Sequence, residues 1–300
     1  VDEVITIGRN QRVVGATFAT DRRQAVMTDT RLQAMTTSLS RALGGKNIYI
    51  VNTTADESQF LFWAGSDVSP GQYYLYTPAQ RQLRPLLANR PQMAAVTLSP
   101  VQSITYSAAD GTMIPAYLTL PPGRTDARGL PAIVMPHGGP SSRDEWGFDW
   151  LSQYFAQTGY AVIQPNFRGS SGYGDAWYMN NGFQSWRTSV GDVTDAGRWL
   201  VSAQGVDPAK LSIVGWSYGG YAALQAGVLA PDLFKSIVAI APVTDLAQMR
   251  QSALNDATAH LQRAFIGTGP HLTEGSPARN AATITAPVLM FHGNNDQNVD

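Results

Sequence analysis

Gly215-Trp216-Ser217-Tyr218-Gly219 has the spacing G-x-S-x-G, and the chemistry of that spacing is nucleophilic. A serine on a tight strand-to-helix turn presents its hydroxyl to an acyl carbon, and a glycine two residues to either side lets the backbones pass closely. The amide of Tyr218, next after the nucleophile, then points at the oxyanion that forms on attack. A second donor must come from a loop after an earlier strand, and His137-Gly138-Gly139-Pro140 stands in that position. The His137 side chain reads as structural or substrate-facing rather than as a base.

The order Ser…Asp…His calls for an acid after the nucleophile. Asp296, in His292-Gly293-Asn294-Asn295-Asp296, follows an apolar run and is the candidate to orient a base. Asp245 is a weaker rival. Asp192 and Asp195 share a helical stripe with Arg198 and read as solvated or capping charges. Arg168 reads as a residue that holds its own Gly/Ser loop, and Trp146, Trp150, Trp177 and Trp186 as packing or pocket-wall residues.

These residues need a scaffold, and the chain supplies alternating β and α patterns after Pro100. Residues 114–120 form an opening strand. Short apolar runs at 132–135, 161–164, 211–214, 237–240 and 288–291 then suit the buried strands of a parallel sheet covered on both faces. Helical patterns lie between them, with Leu151, Tyr154 and Phe155 at i, i+3, i+4 before Gly159, a second stripe at Val193, Ala196, Trp199 and Leu200, and a third over 221–230. The expected class is therefore α/β, a doubly wound, mostly parallel sheet of the α/β-hydrolase kind. Before residue 100 the runs 47–53, 59–64 and 72–77 are spaced for an antiparallel meander, such as one blade of a β-propeller. The expected division is 1–99, part of a β-propeller-like domain, and 100–300, the hydrolase domain lacking its C-terminal end.

Composition narrows the remaining classes. Hydrophobic residues make up 44% and charged residues 14% of the 300, as in a packed globular chain. A net charge of -1 gives no footprint for nucleic acid or an acidic membrane surface. No run approaches the roughly 20 apolar residues of a membrane span. With no cysteine, disulfides, thiolate zinc sites and a thiol nucleophile are excluded, while the compartment stays open between cytoplasm and periplasm or exterior. No metal and no organic cofactor are expected, because no His/carboxylate cluster has ligand spacing and the Gly-rich loops serve the turn chemistry. A chain that begins at Val1 and stops at Asp300 just after an apolar run is expected to be a fragment.

Six stretches in order resemble the prolyl oligopeptidase family of serine peptidases, most of all its acylaminoacyl-peptidase and dipeptidyl-peptidase-like branch. They are YSAADG from Tyr106, Pro115-Ala116-Tyr117-Leu118 before Pro121-Pro122, HGGP from His137, NFRGSSGYG from Asn166, GWSYGGY from Gly215 and HGNNDQNV from His292. Ser69-Pro70-Gly71-Gln72-Tyr73-Tyr74-Leu75 is similar to the last propeller blade of that branch. The resemblance implies a peptidase with a propeller restricting access to its site. Ser217 would be nucleophile, Asp296 the acid, and the amides of Tyr218 and Gly139 the oxyanion hole. It also places the catalytic histidine about thirty residues past the acid, beyond Asp300. None of His137, His260, His271 and His292 reads as a substitute.

The leading expectation is hydrolysis of short peptides through an acyl-enzyme on Ser217. A carboxylesterase on the same fold and a catalytically silent hydrolase-fold binding module are the alternatives. The expected partner is a peptide substrate, with neither nucleic acid nor membrane, and a homo-oligomer is compatible with the sequence.

Overall fold

The computed structural model of the protein describes residues 2–179, 182–252, 259–296 and 298–299. The chain divides into two compact units, one of residues 1–101 with 145–154, the other of 102–144 with 155–300.

The first unit is antiparallel. Strands β1 (Glu3–Ile7), β2 (Arg12–Ala19) and β3 (Arg23–Met27) form a three-stranded sheet. Strands β4 (Asn47–Thr53), β5 (Phe60–Ser66), β6 (Ser69–Thr77) and β7 (Gln82–Ala88) form a four-stranded meander in chain order, the layout of a propeller blade. Phe60, Phe62 and Ala64 of β5 are buried while Leu61 and Trp63 are not, the period of two that a half-covered strand requires. Between the sheets lies helix α1 (Thr30–Ala42), which the sequence pattern did not single out. It is rich in Thr and Ser, poor helix formers, but Leu32 and Leu39 bury one face and Asp29 caps its start by accepting from the amides of Arg31 and Leu32.

The second unit holds a seven-stranded sheet in the order β14-β13-β12-β10-β11-β9-β8, from β8 (Val101–Ser107), β9 (Met113–Thr119), β10 (Ala132–Val134), β11 (Ala161–Pro165), β12 (Leu211–Trp216), β13 (Ser236–Ile240) and β14 (Val288–Phe291). β10 to β14 pair in parallel and β9 pairs with β11 antiparallel. Every residue of β10 and β11 is buried, as continuous apolar runs demand of strands covered on both faces. Helices α2 (Trp150–Gln157), α3 (Asp175–Tyr178), α4 (Trp186–Ser202), α5 (Tyr218–Leu229), α6 (Leu246–Ser252), α7 (Ala259–Ile266) and α8 (His271–Glu274) are the remaining α-helices among the described residues. One apolar core joins α4 and α5 to the strands through Val190, Val193, Leu200, Tyr221, Leu211 and Ile237.

From β10 the chain steps to β11 on one side and then crosses to β12 on the other. Connections therefore diverge between β10 and β12, which is where open α/β sheets leave a crevice at the carboxyl ends of their strands. One strand departs from expectation. β14 is exposed along its whole length, Phe291 at 52%, and among the described residues it pairs only with β13.

Candidate active site

β12 runs straight into the elbow. Ser217 has φ 57° and ψ -122°, a conformation costing an L-residue on the order of 1–3 kcal/mol. Its amide donates to the carbonyl of Ile240 on β13 at 2.8 Å, and its carbonyl accepts from Tyr221 at 3.0 Å, so both ends of the strained residue are fixed. The flanking glycines are needed for space. A Cβ on Gly215 would stand 2.0 Å from the carbonyl oxygen of Gly219, and one on Gly219 would stand 2.2 Å from that of Pro136. Ser217 is half-buried, and its Oγ makes no hydrogen bond among the described residues.

The loop after β10 packs directly on this turn. A Cβ on Gly138 would lie 3.6 Å from Cβ of Ser217. Gly139 follows with φ 123°, which glycine alone adopts cheaply. Its amide and that of Tyr218, at the first turn of α5, have no protein acceptor among the described residues. Unpaired amides beside Ser217 are free to donate to a bound acceptor.

His137 is a fastener of this loop, not a base. Its Nδ1 lies 2.7 Å from the carbonyl of Gly138 and its Nε2 lies 2.8 Å from Oγ of Ser170, which itself donates to the carbonyl of Phe167 at 2.6 Å. The ring stacks on Phe167 with centroids 4.3 Å apart. Burial pushes the imidazole down to about 4. The loop of residues 166–173 grips the same segment elsewhere. Asn166 accepts from the amide of Asp144 at 2.8 Å and donates back to its carbonyl at 3.0 Å, Ser171 donates to the carbonyl of Ser142, and Arg143 donates to the hydroxyl of Tyr173 at 3.0 Å. The pattern showed the NFRGSSGYG stretch without showing what it does. Each of these partners lies between 22 and 33 residues away in sequence and meets only through the pairing of β10 with β11.

Arg168 anchors that second loop in turn, as its sequence context suggested. Its Nε and Nη2 bridge the carboxylate of Asp192 at 3.0 and 2.7 Å, its amide donates to the same group, and Nη1 reaches Asp110 at 2.5 Å. The reading of Asp192 and Asp195 as solvated or capping charges is corrected. Asp192 is 1% exposed and Asp195 7%. They sit inside because each has a cation and a backbone amide to bind, Arg168 for Asp192, and Arg198 with the amide of Ala109 for Asp195. Burial still raises the Asp192 carboxyl above its ordinary value.

Tyr218 turns its side chain into the core. Its hydroxyl donates to the carbonyl of Gly182 at 2.8 Å, its ring packs among Phe167, Phe183 and Tyr221, and burial pushes the phenol far above its ordinary value.

Asp296 follows β14, two strands from Ser217 at the same ends of the strands. Its Oδ1 accepts from the amides of Asn298 and Val299 at 2.9 and 3.1 Å, which holds the carboxyl below the usual range. Oδ2 stands 3.7 Å from Nε2 of His292, which donates instead to the carbonyl of Val299 at 2.9 Å. Asp245 is engaged otherwise. It caps α6 through the amides of Ala247 and Gln248 and pairs with Arg279 at 2.8 Å. None of the four histidines bonds Ser217: His271 donates to the carbonyl of Ile266, and His260 is exposed on α7. Among the described residues no three His, Asp or Glu side chains gather as a metal site.

Known proteins share this framework. The prolyl oligopeptidase family model matches residues 146–300. Dipeptidyl aminopeptidase BIII of Pseudoxanthomonas mexicana is 30% identical over 274 residues, 86% of this chain and 40% of the relative. The acylamino-acid-releasing enzyme of Rattus norvegicus is 24% identical over 66% of this chain and 28% of its own length. The fold matches Porphyromonas gingivalis dipeptidyl peptidase 4 at a TM-score of 0.74 and 21% identity, covering 100% of this chain and 42% of that one. It matches a puromycin-hydrolyzing peptidase of Mycobacterium tuberculosis equally well, at 0.74 and 23% identity over 99% of this chain and 46% of that one. The chain thus spans less than half the length of these relatives. Its α/β-hydrolase sheet, its propeller-type blade and the matched residues place it in one family: the chain belongs to the prolyl oligopeptidase family.

Proposed function

We propose that the protein is a serine peptidase that cleaves short peptides through an acyl-enzyme on Ser217. The observation that carries the reading is an unpartnered Ser217 Oγ on a strained elbow, with the Gly138–Gly139 loop packed against it and two unused amides alongside. Oγ adds to the scissile carbonyl and passes its proton to a histidine supplied from beyond Asp300, whose imidazolium Asp296 orients and stabilises. The negative oxygen receives hydrogen bonds from the amides of Tyr218 and Gly139, each worth about 10²–10³ in rate where such donors have been removed one at a time. The C–N bond then breaks, the histidine returns the proton to the leaving amine, and water hydrolyses the ester by the same steps in reverse order.

Peptides are chosen over simple esters because the similar proteins are named as aminopeptidases and acylamino-acid-releasing enzymes. The test is turnover of matched aminoacyl anilides and alkyl esters by the longest natural form of the protein, with and without Ser217→Ala. Anilide hydrolysis lost in the variant by about 10⁴ or more supports the peptidase. Turnover of esters alone would make it an esterase, and unchanged anilide hydrolysis in the variant would remove Ser217 from the chemistry.

A further inference from the structure

Away from the elbow, α6 and α7 bring Arg250, His260 and Arg263 to one cavity of about 620 Å³, walled otherwise by Gln184, Ala264, Gly267 and Thr268. No carboxylate lines it among the described residues. Arg250 is half-buried, and its Nε is closed to solvent with no hydrogen-bond partner among the described residues. No ion pair for its guanidinium occurs there either. The other half-buried arginines of this unit, Arg143, Arg168 and Arg263, each have a hydrogen-bond partner, Arg168 with two aspartates being the fullest case. Arg263 is half-buried as well and spends its Nε on the carbonyl of Ala259 at 3.2 Å.

A buried, unsatisfied N–H is a cost that a bound acceptor removes. Two guanidinium groups and an imidazole with no anion beside them among the described residues are the complement of a carboxylate, which arginine binds through paired N–H donors. The cavity also has a route to the chemistry. Gln184 and Ala264 are shared with a second cavity of about 700 Å³, lined by the apolar Met179, Leu261 and Phe265 and by Ser141, two residues past Gly139. A peptide lying in the apolar cavity beside the oxyanion loop would reach the basic one with a charged end.

We propose that the Arg250–His260–Arg263 cavity is an anionic subsite that takes a carboxylate of the bound peptide. The inference rests on the peptidase reading above. The carboxylate comes from an acidic side chain or from the free carboxyl terminus of the peptide. The chemistry is the same for both.

Three probes separate the sources: Ala-Glu amide carries only the side-chain carboxylate, Ala-Ala free acid only the terminal one, and Ala-Gln amide neither. Each is titrated calorimetrically into the protein and into Arg250→Met and Arg250→Lys. One of the two acids should bind about 10- to 100-fold more tightly than the amide without a carboxylate, the preference should vanish in Arg250→Met, and Arg250→Lys should keep part of it. Equal affinity for all three probes, or a preference that survives Arg250→Met, overturns the proposal. Arg263→Met gives the same comparison from a second position if Arg250→Met does not fold. Labelling of Ser217 by a fluorophosphonate is read in parallel. Its failure in the unsubstituted protein would remove the peptidase reading, while the titration would still decide whether a carboxylate binds.

Discussion

Gly219→Ala tests whether close backbone packing, beside the side-chain ties of His137 and Asn166, sets the Gly138–Gly139 loop against Ser217. The added methyl would stand 2.2 Å from the carbonyl oxygen of Pro136 and 3.1 Å from that of His137. Carbon and carbonyl oxygen ordinarily approach no closer than about 3.3 Å, so α5 and the loop must part by roughly 1 Å. Overpacking of this kind costs about 1–3 kcal/mol. In a unit of this size each kcal/mol lowers Tm by about 2–4 °C, giving an expected loss of about 2–12 °C.

The effect on chemistry should exceed the effect on stability. The displaced carbonyls directly precede Gly138 and Gly139, and a 1 Å misplacement of a positioning group can cost about 100-fold in rate. The assay pairs calorimetric melting with the second-order rate of fluorophosphonate labelling at Ser217. Gly191→Ala in α4 is the control, because nothing lies within 4 Å of its added methyl. It should gain about 0.5–1 kcal/mol from helix propensity and leave labelling alone. If Gly219→Ala labels within twofold of the unsubstituted protein and melts at the same temperature, the loop is not positioned by this contact.

Asp192→Ala would leave Arg168, whose side chain is only 16% exposed, without its main counter-charge, at about 3–5 kcal/mol read from urea denaturation. His137→Gln addresses pH. Because the folded imidazole titrates at about 4 and an unfolded one near 6.5, the unfolded chain takes up the proton first, so stability is full above about 6.5 and declines as pH falls toward 4. The variant's stability should be flatter across that window, and an unchanged slope would mean the ring is not held neutral. Asp245→Ala removes a cap and should cost about 1 kcal/mol with labelling within twofold, whereas Asp296→Ala should slow labelling at least about tenfold in the longest natural form of the protein. A reversed pair of results would reassign the acid.

The parts of the fold legible in the sequence were those fixed by local pattern. Continuous apolar runs located β10 to β14, and at β10 and β11 every position is buried, as a strand covered on both faces requires. The elbow was legible because its glycines are demanded by contacts of about 2 Å that no side chain tolerates. Pattern failed where a distant partner decided the outcome. Asp192 and Asp195 have the helical spacing of surface charges, and only Arg168, 24 residues earlier, and the amide of Ala109, 86 residues earlier, make their burial affordable. α1 hid because its Thr- and Ser-rich composition argues against helix until Leu32 and Leu39 find a core.

The strain at Ser217 shows why the site is built on three adjacent strands. A residue at φ 57° persists only if its surroundings over-determine it. β13 holds its amide, α5 holds its carbonyl, and the loop from β10 closes over it. That loop has no regular structure of its own, so its rigidity is borrowed. His137 and Asn166 tie it to the loop after β11, and Arg168 ties that loop to Asp192 on α4, one of the helices covering the sheet. Each tie is short and mostly buried, so a change at Asp192 should reach the amide of Gly139 through two loops without touching the elbow. Measured as a double-mutant cycle on Ser217 labelling, Asp192→Ala and His137→Gln should be less than additive, since either one alone frees the same loop. Full additivity would mean that the two ties act on different parts of the site.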